Sequence, residues 1–303
     1  MNKRISLDPD SLAEKNGRYL KVLANSLGHD RGVFVEAHPD DWLSIVRNVL
    51  NRIDSPLARG RISEFACRAK AEFLLPTRVG HLADDWESCA QHAMSTGDVA
   101  LAISDRHGVK YPSISSAVLN AHPALAAQHA IDIQTTPEEY ILAFESLVLH
   151  SRELHLLDGY AYTLLKDAVL PTFKHFLVLL TAVIARSRKP LRTLFIHCWE
   201  AKLNGSNSTA PSFEYMQERI RYLNAELSDL RKQNFKIQLV VRTDDPPHDR
   251  YFFGQIGALQ IGRGLHLAKP IDTTTITTLP KDLRQSLHTR YLNYFERHVV
   301  RST

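Results

Sequence analysis

Cysteine is scarce in this sequence, and its three copies, Cys67, Cys89 and Cys198, lie far apart. No CxxC pair is present, so neither a zinc site nor a disulfide framework is indicated. Cysteines used this sparingly are typical of proteins whose thiols stay reduced. The pattern predicts a cytoplasmic protein without a bound metal.

Long hydrophobic runs are also missing. The longest is HFLVLLTAVIA, residues 175–185, which is too short to span a bilayer and predicts a buried helix. The first residues are basic but are not followed by an apolar stretch, so we expect no signal peptide. No P-loop, GxGxxG, HExxH or GxSxG pattern occurs, and we expect no cofactor.

Charge of one sign is not strongly in excess, since the formal net charge is +4 over 303 residues. Such a mildly basic balance permits an anionic partner but does not require one. A surface that binds nucleic acid needs the positive charge to be concentrated on one face. RSRKPLR, residues 186–192, is one such concentration, and it is read either as a phosphate-contacting patch or as a solvated turn.

The length suits two domains, and the patterns change near residue 133. The pattern of residues 1–133 predicts a separate N-terminal α/β domain. In it, a strand at 33–36 precedes a helix that begins at Trp42, and Asp40 or Asp41 is the expected cap of this helix. Residues 134–303 form the second predicted domain. It opens with Thr136, Pro137 and two glutamates, which indicate a helix start.

Helices and strands alternate in the second half in the order αβαβαβββα, including a helix bent at Pro171. This order predicts an α/β fold whose mixed sheet is mainly parallel, with a hairpin near the end. Ligands of open α/β sheets gather at the carboxyl ends of the parallel strands. Asp158 and Tyr160, the polar loop 203–212 and residues 243–247 follow such strands.

The segment PPHDRYFFGQIGALQIGRGLHLAKP, residues 246–270, carries the residue types that phosphate chemistry uses. A histidine such as His248 can act as a nucleophile or general acid, and Arg250 and Arg263 can neutralise phosphate oxygens. Gly262 and Gly264 would let the main chain approach a phosphate closely. A hairpin with turn glycines and solvated charges explains the same residues.

HDR followed by IGRGL, after RELHLLDGYAY, resembles the phospholipase D-like superfamily. The resemblance covers about residues 137–300 and is closest to the C-terminal domain of MIT-domain (microtubule interacting and trafficking) proteins and to its bacterial relatives. It implies a phospholipase D-like fold for the second domain. The N-terminal domain resembles no family that we can name.

Catalytic members of that superfamily carry His-x-Lys-x4-Asp and then a glycine, and their histidine attacks phosphorus. On this chain the histidine falls on His248, the lysine on Arg250, the aspartate on Gln255 and the glycine on Gly262. The carboxylate is therefore lost from the motif, and Asp249 and Asp158 are the candidates to replace it. The family needs two motifs and this chain has one, because neither His38 nor His107 has the pattern, so a homodimer is implied.

The resemblance implies a protein that recognises phosphodiesters, with His248 and Arg250 as candidate catalytic residues and Arg263, Gly262 and Gly264 holding the phosphate. Nucleic acid is the expected ligand, bound only or bound and cleaved without metal. The bacterial relatives imply a setting in antiviral defence or mobile elements. The alternatives are a non-catalytic module for acidic phospholipid headgroups, as in the MIT-associated relatives, or for a protein partner.

Overall fold

The computed structural model describes residues 3–77, 85–106, 110–186, 193–203, 211–228, 235–265, 267, 272–293 and 299–302. The chain divides into two compact units, Met1–His129 and Ala130–Thr303. Each unit is built on its own sheet, which among the described residues has four strands in the first unit and eight in the second. The boundary drawn from the sequence, after residue 133, lies inside the first strand of the second unit.

The first unit alternates strands with helices. Its strands are β1 (Lys3–Leu7), β2 (Val33–Glu36), β3 (Leu74–Leu75) and β4 (Leu101–Ile103). Its α-helices are α1 (Leu20–Asn25), α2 (Trp42–Asn51), α3 (Pro56–Arg68), α4 (Trp86–Ser95) and α5 (Ile114–Leu119). The strands are all parallel, in the order β3-β2-β1-β4.

Apolar periodicity and caps account for the helices of the first unit. In α2 one face of Trp42, Val46 and Val49 is buried, and Trp42 Nε1 donates a hydrogen bond to the carbonyl of Leu7 on β1. The carboxylate of Asp85 caps α4. Asp41 occupies the corresponding position of α2 but makes no side-chain capping bond.

The second unit begins with a strand and then alternates helices and strands. Its strands are β5 (Ala130–Gln134), β6 (Glu153–Leu157), β7 (Thr193–Trp199), β8 (Lys236–Arg242), β9 (Arg250–Phe253), β10 (Ala258–Ile261), β11 (Thr273–Thr278) and β12 (Val299–Ser302). Its α-helices are α6 (Pro137–His150), α7 (Leu170–Ile184), α8 (Glu200–Leu203), α9 (Phe213–Ser228) and α10 (Lys281–Tyr291).

The second sheet is mixed, in the order β12-β8-β7-β6-β9-β10-β11-β5. Strands β6, β7 and β8 are parallel, and the other neighbours are antiparallel. The parallel strands and the β9–β10 hairpin follow the predicted pattern. The pattern does not predict β5, β11 and β12. Of the five residues of β5 only Ile133 is buried, β11 is almost entirely threonine, and these strands form through pairing with distant segments.

Helix α6 is buried along most of its length and packs on the sheet through Phe144, whose ring stacks on Phe252 of β9 at 4.4 Å. Thr136 caps this helix, as its sequence predicts. Helix α7 begins at Leu170, so Pro171 lies in its first turn and no bend is needed, which corrects the expected kink. Proline is tolerated there because the first-turn N–H groups have no helical acceptor.

The longest apolar run of the sequence belongs to α7, and the side chains of Phe176, Leu177 and Leu180 are buried in the core, as predicted. In the described part of the chain, no helix combines the length and the hydropathy needed to cross a membrane.

Candidate functional site

Strand register brings three chain segments to one edge of the second sheet. Strand β6 ends at Leu157, which lies opposite Tyr251 in the antiparallel strand β9. The end of β6 therefore meets the start of β9 at Arg250, and Arg250 in turn lies opposite Ile261 at the end of β10. Residues 158–160, Arg250 and the turn 262–264 thus become neighbours at the carboxyl edge of the parallel strands, where α/β sheets bind ligands.

Asp158 forms the buried base of this edge. Its Oδ1 atom accepts a hydrogen bond of 2.8 Å from the backbone N–H of Tyr160. The same Oδ1 atom lies 3.8 Å from Nε of Arg250, a long ion pair. The carboxylate thus faces Arg250 on its Nε side, and an arginine placed in this way can present its terminal nitrogens to a phosphate.

Two cations lie close to the ring of Tyr160. Nζ of Lys202 is 5.2 Å from the ring centroid, and Cζ of Arg250 is 5.8 Å from it, both within the range of cation–π contacts. The tyrosine is 44% exposed, so the group is open to solvent. Two positive side chains are therefore held beside one accessible aromatic ring.

Lys202 is the residue that the sequence patterns did not single out. It lies in α8, directly after β7, and therefore at the same carboxyl edge as Asp158. Lys202 follows a predicted buried strand and precedes the polar loop 203–212, and this position could have identified it from the sequence. Residues 204–210 of that loop lie outside the described residues.

Gly264 is required at this edge by both its backbone and its surroundings. Its φ is +74°, in the left-handed region that favours glycine. A Cβ atom would collide with Oδ2 of Asp158 and would lie 3.3 Å from Cγ of Arg250. The hydroxyl of buried Tyr140 holds the Gly264 carbonyl at 2.9 Å. Gly264 therefore allows the turn to close against Asp158 and Arg250.

The backbone amides of this turn already have acceptors inside the protein. The N–H of Gly262 donates to the carbonyl of Thr275, that of Arg263 to the hydroxyl of Thr274, and that of Gly264 to the carbonyl of Ile261. An anion at this turn would therefore be held by side chains, with the glycines permitting close approach.

Arg263 forms an ion pair with Asp272, the residue that precedes β11. Its Nη1 lies 3.3 Å from Oδ2 of Asp272, and both side chains are substantially exposed. An ion pair this exposed contributes little to stability and can exchange for another anion.

His248 lies on the segment that leads into β9. Its side chain is fully exposed, and its Nδ1 atom is 3.3 Å from Oδ1 of Asp249. Oδ2 of Asp249 accepts a hydrogen bond from the Tyr251 hydroxyl. Burial, followed by the Asp249 charge, raises the pKa of Tyr251 to about 12. Thus the contacts unite Asp158, Tyr160, Arg250 and Gly264, whereas His248 pairs with its neighbour Asp249.

Gln255, at the position of the family's aspartate, lies in the turn after β9, at the far end of that strand from Arg250. Its backbone N–H donates to the Ser151 hydroxyl. A carboxylate at this position would not reach the start of β9, so the carboxylate that lies at the edge is that of Asp158.

Of the basic segment 186–192, only Arg186 is described, and it pairs with Glu145 at 2.7 Å. Cys198 is buried in β7, and burial raises the pKa of its thiol, which agrees with a packing role. His107 lies outside the described residues. Within the described ranges, no cluster of His, Cys, Asp or Glu side chains could hold a metal ion.

Comparison with models of known protein families gave no match, and comparison with curated protein sequences gave none. Among solved structures, the chain has a slight likeness to TrmBL2, an archaeal chromatin protein whose structure shows a novel mode of DNA binding. The TM-score is 0.29 and the identity 9%, over 86% of this chain and 81% of that one. A likeness at this score is too slight to carry fold or function from one chain to the other.

Proposed function

We propose that the second unit is a phospholipase D-like module that binds phosphodiester groups of nucleic acid through a cationic edge, defined as Tyr160, Lys202 and Arg250. The observation that carries the proposal is the placement of both cations within 6 Å of one exposed tyrosine ring. Phosphate contacts supply most of the affinity of nucleic-acid binding, and an aromatic ring adds a surface for a base or sugar.

The position of the cationic edge supports the proposal. It lies at the carboxyl ends of β6 and β7, where the crevices of open α/β sheets receive ligands. The Asp158 carboxylate lies 3.8 Å from Nε of Arg250, and Gly264 lacks the Cβ atom that would collide with Asp158. This combination favours a ligand whose anionic group lies against Arg250 and Lys202.

Binding without cleavage is the form of the proposal that the geometry favours. A nucleophilic histidine needs a group that orients it and cations that share its substrate. Exposed His248 has only the long contact with Asp249 among the described residues, and Gln255 lies at the opposite end of β9. These arrangements support a phosphate-binding module that lacks the superfamily's chemistry.

The test is fluorescence anisotropy with labelled single-stranded DNA, duplex DNA and RNA in EDTA, at several salt concentrations. Arg250→Gln and Lys202→Gln should each weaken binding by about fivefold or more, because each removes a phosphate contact. The matched controls are Arg221→Gln, at an exposed position of α9, and Lys236→Gln at the amino end of β8, the opposite edge of the sheet. Both controls should bind within about twofold of the unmodified protein.

Equal losses in all four variants would mean diffuse attraction by the whole basic surface and would overturn the assignment of the edge. The absence of any nucleic-acid binding would overturn the proposal. Vesicles of phosphatidylcholine with phosphatidylserine serve as a parallel arm. Binding to these vesicles that requires Arg250, with no binding to nucleic acid, would establish the headgroup alternative instead.

A further inference from the structure

The first unit contains a cavity of about 200 Å³ that lies away from its sheet, between α1 and α3. Its apolar floor consists of Leu20 and Ala24 from α1 and Phe65 from α3, all of them buried. Gly17, at the end of the 3-10 segment Asp10–Gly17, also lines the cavity, and its φ is +63°. The cavity is concave and apolar at its base, which is the common character of small-molecule sites.

The rim of this cavity is strongly cationic. It carries Arg18, Lys21, Arg61 and Arg68, against the single carboxylate of Glu64. Four positive charges and one negative charge leave a formal excess of +3 at the rim. A concave site that carries an excess of charge of one sign attracts ligands of the opposite sign.

Three of these cations have no carboxylate partner in the described part of the chain. Arg61 donates to the backbone carbonyl of Asn16, and Arg18 lies near the ring of Tyr19. Arg68, in contrast, is engaged by Glu72 and by the side chain of Asn25. The rim thus separates into one anchored arginine and three cations, Arg18, Lys21 and Arg61, that form no salt bridge among the described residues and face only the Glu64 carboxylate on the same rim.

We infer that this cavity binds a small organic anion, an apolar body no larger than about one ring or one branched chain that carries a phosphate or carboxylate group. The apolar body would pack on Phe65, and the anionic group would meet Arg18, Lys21 and Arg61. The volume is below the range of about 300–1,000 Å³ of sites for drug-sized ligands, so the ligand is correspondingly small. This inference concerns the first unit and does not depend on the proposed function of the second.

Two-part recognition of this kind has a distinctive pattern of affinities. Phenyl phosphate unites a ring with a dianion, whereas inorganic phosphate has only the charge and phenol has only the ring. Phenyl phosphate should bind at least about tenfold more tightly than either part, because each part alone loses one set of contacts. Benzoate in a further arm distinguishes a carboxylate ligand from a phosphate ligand.

The experiment is ligand-observed NMR titration of the full chain carrying Lys202→Gln and Arg250→Gln, so that the cationic edge of the second unit does not contribute. Arg18→Gln and Arg61→Gln should each weaken phenyl phosphate binding about fivefold. The control is Arg59→Gln, an exposed arginine of α3 that does not line the cavity and should leave binding unchanged. Glu64→Gln should strengthen binding about twofold, because it removes the only carboxylate of the rim.

A thermal unfolding midpoint for each variant shows that the fold is intact before affinities are compared. The inference fails if phenyl phosphate binds no better than inorganic phosphate, since the apolar floor then contributes nothing. It also fails if Arg59→Gln weakens binding as much as Arg18→Gln does, or if Glu64→Gln weakens it. Binding that weakens in Arg18→Gln and strengthens in Glu64→Gln, two residues of one rim, is the result that a merely structural role would not produce.

Discussion

The Nδ1 atom of His155 on β6 lies 3.0 Å from the Nε2 atom of His197 on β7. Both side chains are buried, and the ring of His155 stacks on Phe195. Burial, followed by the charges of His288 and Arg242, lowers the pKa of His155 to about 3. Burial, followed by the charges of His155 and Arg242, also lowers the pKa of His197 well below its usual value. The folded protein therefore requires both rings to be neutral.

We expect stability to fall as the pH falls below about 6.5, the usual histidine pKa, because the unfolded chain then binds protons that the folded pair excludes. The stability that the neutral histidine pair contributes is fully present above that pH, and it is lost as the pH falls towards the lowered pKa of the folded state. The slope should approach about 1.4 kcal/mol per pH unit for each histidine. Urea unfolding between pH 5 and pH 8 measures it.

The double variant His155→Phe/His197→Leu should show a flatter dependence of unfolding free energy on pH than the unmodified protein. His248→Ala, at a fully exposed position, should leave the slope unchanged. Identical slopes for all three proteins would contradict the role given to the buried pair, whatever their absolute stabilities.

Gly264→Ala should destabilise the protein and weaken nucleic-acid binding together. The left-handed backbone alone costs an alanine about 1 kcal/mol. The new methyl group must also displace the buried Asp158 carboxylate, which holds Arg250, so we expect a total of about 2–4 kcal/mol.

Gly97→Ala is the matched control for this substitution, because its φ is +78° and no described atom lies within 4 Å of the added methyl group. Chemical denaturation of both variants separates the backbone cost from the collision. If Gly97→Ala costs as much as Gly264→Ala, crowding at Asp158 is not the cause.

Asp244→Asn should be among the most damaging single changes in the second unit. Nε and Nη2 of Arg242 donate to the two Asp244 oxygens at 2.8 and 2.6 Å, and Arg242 is fully buried. Neutralising the aspartate leaves a buried guanidinium without its counter-charge, at a cost of about 3–5 kcal/mol.

A double-mutant cycle tests this pairing. Arg242→Met removes the buried charge itself, so the double variant Arg242→Met/Asp244→Asn should lose less stability than the sum of the single variants. Strictly additive losses in urea unfolding would show that the two side chains do not stabilise each other.

Labelled single-stranded DNA, duplex DNA and RNA should remain intact when incubated with the protein in EDTA, although they are bound. The reason is the lack of an orienting contact between His248 and the Asp158–Arg250 group among the described residues. Denaturing gels of the unmodified protein and of His248→Ala check this. Cleavage in EDTA that disappears in His248→Ala would instead establish a metal-independent phosphodiesterase, and would make the implied homodimer the next question.

Neighbouring residues were enough to predict the helix that Thr136 caps, the buried helix of the apolar run, the parallel strands β6 to β8 and the β9–β10 hairpin. The edge at which Asp158 and Tyr160 lie also followed from the sequence, because any residue directly after a parallel strand comes to the carboxyl edge. The phospholipase D-like resemblance, the homodimer, the defence setting and the roles of the site residues stay predictions.

The sequence by itself determined what depends on local spacing: the alternation of helices and strands, the Thr136 cap of α6, and the residue types at the carboxyl edge. The tertiary structure alone decided what depends on register between distant strands. Strands β5 and β11 pair with each other across more than a hundred residues. Lys202 joins Arg250 at the ring of Tyr160 because β6 lies between β7 and β9. Such neighbours arise from long-range pairing and packing, which produce no periodic pattern of residues in the sequence.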